Sequence, residues 1–183
     1  MLLLDIAAGL YGSDETITPG VLSLDLVKAH LRVTHDDEDA LISQYLAAAI
    51  ASVEKLTGKL LTRRTVTQDA SCFGRFMPLH WGPNPASLTI EYLDGAMVEQ
   101  TIADARIARG RVYPAASWPS AVDGSVLLTY TAGFATVPDD LIAAVLLLTG
   151  HMWINREAVT DRPAHEVPLA VESLTHPYRS VLV

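Results

Sequence analysis

Residues 37–57 read DEDALISQYLAAAIASVEKLT, and Gly58 follows at once. Ile42, Leu46, Ala49, Val53 and Leu56 recur at spacings of four, three, four and three, which is one face of an α-helix. Thr34 or Asp36 can cap the N–H groups of its first turn, and Asp37, Glu38 and Asp39 suit the positive end of the helix dipole. Gly58 suits the left-handed conformation that closes a helix, with Lys55 and Lys59 near the negative end. Ala47, Ala48 and Ala49 are a run of small side chains that lets a partner come close. A second apolar edge passes through Leu41, Tyr45 and Ala48. One face is therefore expected to build the core and the other to meet a neighbouring subunit. The helix carries no catalytic group.

Upstream, LSLDLVKAHLRV (residues 22–33) predicts a short helix opened by Ser23, with Asp25 in its first turn. Leu24, Val27 and Leu31 mark its apolar side, with Leu26 and His30 at the edge. So few residues separate it from the long helix that the two should pack as a hairpin or corner.

Downstream of Gly58 the pattern turns to strands. Thr65, Val66 and Thr67 predict one strand, and SLTIEYL (87–93) a second, with Leu88, Ile90 and Tyr92 on one face. Asp94-Gly95 signals a turn into a partner strand over Met97–Ile102. ARIARGRVY (105–113) suits a hairpin around Arg109-Gly110, and VLLTYT (126–131) a further strand stopped by Gly133. Residues 71–86 and 114–124 read as loops rich in Pro, Gly, Ala and Ser. The middle of the chain is thus a small, mostly antiparallel β region between helical segments, not a series of βαβ units.

A second long helix is expected over Pro138–Arg156, with Pro138 in its first turn and Asp139 and Asp140 at its positive end. Leu141, Val145, Leu148 and Met152 form one face, widened by Ile142, Leu146 and Trp153. Its natural partner is the 37–57 helix, about a hundred residues away. A last short helix fits Leu169–His176, ended by Pro177. The reading is therefore an α+β fold, with a mainly helical body of two long packed helices plus short ones. It places a β insertion at 64–131 within one domain over 1–183. Residues 1–21 read as an N-terminal arm, and Leu2, Leu3 and Leu4 at one end and Tyr178, Val181, Leu182 and Val183 at the other are candidate contacts for other subunits.

The 183 residues carry a net charge of -8, which excludes the broad basic surface of a nucleic-acid binder but not local contacts through a few arginines. Cys72 is the single cysteine, so neither an intrachain disulfide nor a thiolate zinc cluster is expected. The eight-residue run Leu141–Leu148 falls far short of the roughly 20 residues that span a bilayer, and the start lacks a basic leader. A soluble chain with no membrane partner is the expectation.

Motifs for chemistry are sparse. His30, His35, His80, His151, His165 and His176 form no HExxH or other close ligand pair. His30 and His35 flank a helix junction and read as capping or surface groups. His151 reads as a hydrogen-bonded structural histidine, and His165 with Glu166 as a solvated loop pair. Asp36 to Asp39 lack the spacing of a calcium loop. Cys72 has no motif around it and reads as an inert, partly buried thiol. No GxSxG elbow or phosphate-cradling glycine loop occurs. Arg106, Arg109 and Arg111 can touch phosphate or an acidic partner. Arg109 and Arg111 would share a face if a strand ran through Gly110. Trp118, in SWPS, pins its loop on the sheet or serves binding. No catalytic residue, cofactor or metal site is expected.

The phrase LSLDLVKAHLRVTHDDEDALISQYLAAAIASVEKLTGKLL (22–61) resembles the opening of tailed-phage head–tail connector proteins, also called head-completion or adaptor proteins. VLLTYTAGFATVPDDLIAAVLLLTGHMWINRE (126–157) resembles a later part, and VESLTHPYR (171–179) the last short helix. The resemblance implies a structural protein, not an enzyme, made in the host bacterial cytoplasm and placed at the virion neck. It implies self-association into a ring that meets the portal protein and a downstream neck or tail-completion protein. DNA would pass through the channel without sequence-specific binding. Two other readings stay open from the residues alone: a small intracellular hydrolase or transferase with a His/carboxylate site, and an acidic protein-binding module.

Overall fold

The computed structural model describes residues 22–156 and 169–179. In order these form α1 (Leu24–Leu31), α2 (Asp39–Thr57), β1 (Arg64–Ala70), β2 (Met77–Pro78), β3 (Ala86–Leu93), β4 (Glu99–Ile102), β5 (Arg106–Ala108), β6 (Arg111–Tyr113), β7 (Val126–Ala132), α3 (Asp139–Ile154) and α4 (Leu169–Thr175). A 3-10 turn at His176–Tyr178 follows, so Pro177 sits inside a continuing turn rather than ending the helix. Expectations for Leu2, Leu3, Leu4, His165, Glu166, Val181, Leu182 and Val183 lie outside the described residues. The fold is α+β, with packed helices and an inserted antiparallel β region. The chain divides into two compact units, a β unit whose described residues are 63–134 and a helical unit whose described residues are 22–62, 135–156 and 169–179.

In the helical unit α2 packs on α3, which also carries α1 and α4. Ile42, Leu46, Ala49, Ile50 and Val53 of α2 are buried against this core, as are Leu141, Ala144, Val145 and Leu148 of α3. Leu56 lies at the margin, and Thr57 takes the buried position in the last turn. Ser23 caps α1 by accepting from the Leu26 N–H at 3.3 Å, and Arg32, with φ 58, closes it.

The start of α2 differs from its reading in sequence. It begins at Asp39, and Glu38 holds the capping position without a side-chain hydrogen bond. Asp36 is committed elsewhere, its Oδ1 lying 2.5 Å from Lys28 Nζ, which also reaches Asp39 Oδ1 at 2.7 Å. This pair holds the Asp36 carboxyl below, and the Lys28 ammonium above, their ordinary values. Glu38 points its carboxylate at Arg156, 3.1 Å away. The acids therefore tie α1 and α3 to the corner before α2 rather than capping it. At the other end Gly58 is left-handed, φ 66, and the buried Glu54 accepts the Leu61 N–H at 2.8 Å, turning the chain out of the helix.

The β unit holds a four-stranded antiparallel sheet in the order β1-β7-β3-β4 and a three-stranded one in the order β2-β6-β5. Strict alternation along β7 buries Val126, Leu128, Tyr130 and Ala132 on one face. Ile90 of β3 pairs with Leu128 of β7 and Ile102 of β4. The stretch 71–86 is more ordered than its prolines suggest, for β2 lies within it. Gln68 Nε2 donates to the Pro78 carbonyl at 2.9 Å, and Gln68 Oε1 accepts from the His80 N–H at 3.1 Å. The Trp81 N–H donates to the hydroxyl of buried Tyr130 at 3.1 Å. Burial of that phenol raises its pKa.

Candidate functional site

Among the described residues no group of three or more His, Cys, Asp and Glu side chains forms a metal-binding cluster. No described helix is long and apolar enough to cross a membrane. His35 lies 3.8 Å from both Asp37 and Glu38 at the α1–α2 corner. His30 is exposed on α1 and His176 in the 3-10 turn. His151, half-buried, has its Nδ1 3.3 Å from the Asn155 amide. His80 is half-buried in the β unit, and burial alone lowers its pKa. Cys72 is exposed, not partly buried. The neighbouring Phe73 takes the inward position instead, stacking on Trp118 at 4.8 Å and meeting Tyr92 edge-on at 5.4 Å. That contact pins the 114–124 loop against β3 through Trp118.

The arginine hairpin forms a defined face. Arg109 and Gly110 are both left-handed, φ 52 and 70, and make the two-residue turn between β5 and β6. Arg109 is thus at the tip and does not share a strand face with Arg111, because the chain reverses at Gly110. Arg106 pairs with Tyr113, and Ala108 with Arg111, so all four side chains lie on one side of the hairpin. Met77 and Val112 occupy the other side and are buried. The Arg111 guanidinium lies 4.4 Å over the Phe76 ring and that of Arg106 lies 5.7 Å over the Tyr113 ring. The two rings stand 6.1 Å apart. The outer face is therefore an alternation of guanidinium and aromatic groups. Each such stack contributes about 0.5–1 kcal/mol at an exposed site and fixes the plane of the guanidinium.

The second edge of α2 is partly used within the chain. Tyr45 meets Trp153 edge-on at 6.4 Å, and Arg156 lies 4.2 Å over the same indole. Leu41 is half-buried and Ala48 exposed. Tyr178 donates its hydroxyl to Asp140 Oδ2 at 3.3 Å, and desolvation followed by the Asp140 charge raises its pKa.

One surface was not singled out from sequence. The β3–β4 loop is five residues long, and its left-handed residue is Met97, φ 61, rather than Gly95. The Asp94 carboxylate accepts from the N–H groups of Ala96 and Val98 and from Gln100 Nε2, which holds its pKa down, the Val98 bond contributing most. This presents Met97 and Val98 to solvent, 66% and 52% exposed. The cue in sequence is the apolar pair in DGAMVE directly after a turn signal. Ile154 and Leu169 are similarly exposed on the helical unit.

What the described surface does present is exposed apolar side chains and stacked guanidinium and aromatic groups. The head completion protein family profile matches residues 20–165, and the chain belongs to that family. It is a structural virion protein, not an enzyme. Solved structures agree. One chain of the neck of an empty GTA particle, computed with C6 symmetry, superposes with a TM-score of 0.77 at 29% identity, covering 94% of this chain and 96% of that one. A chain from the virion of a native gene transfer agent (GTA) particle gives 0.74 at 28%, covering 92% and 94%. A chain from the native GTA neck with C12 symmetry gives 0.73 at 26%, covering 94% and 96%. No curated protein sequence matches this chain.

Proposed function

We propose that copies of this chain close into a ring at the portal vertex, seated on the portal protein on one side and offering the other to the next neck or tail component. The observation that carries this is the match over 94% of the chain, at 29% identity, to a subunit of a particle neck. The chain thereby links head to tail as a structural part of the neck. DNA crosses the ring without sequence-specific contact, and a net charge of -8 suits a lumen that weakly repels it. Synthesis takes place in the host cytoplasm, before assembly. Subunit or partner contacts fall to Leu41 and Ala48 on α2, to Arg106, Arg109 and Arg111, to Trp118 and Tyr178, and to Leu2–Leu4 and Val181–Val183 at the ends.

Particle production without this chain tests the proposal. Filled or partly filled heads that lack tails, restored to tailed particles by supplying the chain, are expected. Normal tailed particles in its absence would refute it.

A further inference from the structure

The four-stranded sheet ends in two uncovered edges. Among the described residues no strand pairs with the outer side of β1 or of β4. The direction of their backbone groups follows from one bond. The Asp94 N–H donates to the Val98 carbonyl at 3.0 Å, where β3 turns into β4. Bonded pairs alternate with unbonded ones along an antiparallel ladder. Tyr92 with Gln100 and Ile90 with Ile102 are therefore the bonded pairs. Glu99 and Thr101 turn their N–H and C=O groups to the open side. The same alternation, carried across β3 and β7, turns those of Thr65, Thr67 and Asp69 outward from β1. Edges of this kind are ordinarily blunted by lysine, proline or a bulge. Neither strand holds a lysine or a proline, and neither the β1–β7 nor the β3–β4 ladder is bulged. The exposed Met97 and Val98 lead directly into β4.

We propose that β4 of one copy pairs antiparallel with β1 of the next, joining the four-stranded sheets into one continuous sheet around the ring. The inference rests on the ring reading above and names the contact between its subunits. A cyclic assembly needs two different, complementary surfaces on each copy, and the two ends of one sheet are such a pair. Strand direction permits it. Each step from β1 through β7 and β3 to β4 is antiparallel, so β4 runs against β1, and against the β1 of a copy rotated about an axis along the strands. The pleat permits it too. The five outward-turned residues place their side chains on the face opposite to Val66, Gln68, Ile90 and Leu128, so residues bonded across the junction share one face. Charge selects the register. Glu99 opposite Asp69 would set two carboxylates side by side, which is unfavourable. A shift by two residues puts Glu99 opposite Thr67 and Thr101 opposite Thr65 of the next copy, each pair exchanging two backbone hydrogen bonds. The same register lays Val98 against Gln68 of the next copy and takes it out of water. An extended segment of another neck protein would add to one edge only, whereas a second copy satisfies both.

The experiment is disulfide trapping in the full chain, with Cys72→Ser to remove the exposed native thiol. Thr65 and Thr101 lie on opposite edges of one sheet, three strand spacings or at least about 14 Å apart, too far for a bond within one copy. Opposite each other across the junction, their Cα atoms would stand about 5.5 Å apart, within disulfide range. Chains carrying both Thr65→Cys and Thr101→Cys, mixed with portal complexes and mildly oxidised, should give a ladder of covalent multimers. A mixture of the two single variants should stop at dimers, and either alone should give none. Thr101→Pro and Thr67→Pro each remove an outward N–H that the sheet itself does not use. Each should leave helix and strand content by circular dichroism unchanged and weaken self-association by roughly tenfold or more. If either fails to fold, the other and the trapping carry the test. Wild-type rings with no ladder from the double cysteine variant overturn the inference and leave the ring reading standing, as do folded proline variants that associate like wild type. Dimers from Thr101→Cys alone overturn it in favour of two β4 strands pairing with each other. Proline variants that still form rings but no longer bind the portal also overturn it and assign the edge to a strand of the portal. A wild-type chain that never associates, with or without portal, overturns the ring reading and this inference together.

Discussion

Gln68 holds the irregular stretch 71–86 onto the larger sheet, and replacing it with alanine should loosen that whole stretch. Its side chain is 5% exposed. It donates to the Pro78 carbonyl at 2.9 Å and accepts from the His80 N–H at 3.1 Å and from the Tyr130 hydroxyl at 3.4 Å. Gln68→Ala leaves the first two groups without this partner. Orphaning a fully buried group costs about 1–3 kcal/mol. These two bonds are only part-buried, so the lower half of that range, about 1–2 kcal/mol, applies to each and the sum is about 2–4 kcal/mol. That is a large share of the roughly 5–15 kcal/mol that holds an ordinary domain together. Tyr130→Phe removes a single hydroxyl and should cost less, about 1–2 kcal/mol. Urea unfolding with hydrogen exchange at the His80 and Trp81 amides is the assay, because a chain of two units need not unfold in one step. Protection at both amides should fall in Gln68→Ala while α2 and α3 stay protected. Unchanged protection at His80, with stability within about 0.5 kcal/mol of wild type, would refute the claim that Gln68 anchors this stretch.

Two further outcomes follow from single positions. Burial lowers the pKa of His80, so its folded form resists protonation while the unfolded form titrates near the usual value of about 6.5. Its contribution is fully present above that value and is lost as pH falls toward and through the depressed folded value. Denaturation midpoints at pH 7 and pH 5 should therefore differ more in wild type than in His80→Asn, and equal slopes would count against the assignment. At Gly150 an added Cβ would lie 3.4 Å from His30 Nε2 and 3.8 Å from Leu31 Cδ2, which is ordinary contact. Gly150→Ala should stabilise the helical unit by about 0.5–1 kcal/mol through helix propensity, and Gly150→Leu should destabilise it by displacing His30. A thermal melt of both variants decides this, and destabilisation by alanine would mean that α1 packs more tightly on α3 than described.

The long helices were legible because their information is local. The 3.6-residue period of Ile42, Leu46, Ala49 and Val53 and that of Leu141, Val145 and Leu148 needed no knowledge of partners, and the partnership itself followed from two wide apolar faces. The cap of α2 was misread because Asp36 is taken by Lys28, eight residues earlier, and only the folded corner brings them together. The hairpin at Arg109-Gly110 could be read from its turn residues, but the stacking of Arg111 on Phe76 depends on a strand of two residues, too short to show a period. Cys72 was placed inside from its chemical type, whereas the aromatic partners Trp118 and Tyr92 draw Phe73 inward and leave the thiol out. Sheet order was not legible either. The last strand, β7, inserts between β1 and β3, a pairing decided by long-range burial of Tyr130 and Leu128 rather than by any neighbouring turn. As for the surface, residue types marked Arg106 and Arg111 as contact candidates, but not the ring stacks that orient them. Met97 and Val98 escaped notice because Gly95 drew the turn to itself.

Ring assembly on the portal is open to one direct measurement. The mass of the purified chain mixed with portal complexes should show a discrete multi-copy ring bound to the portal. A chain that stays monomeric and unbound across the accessible concentration range would contradict it.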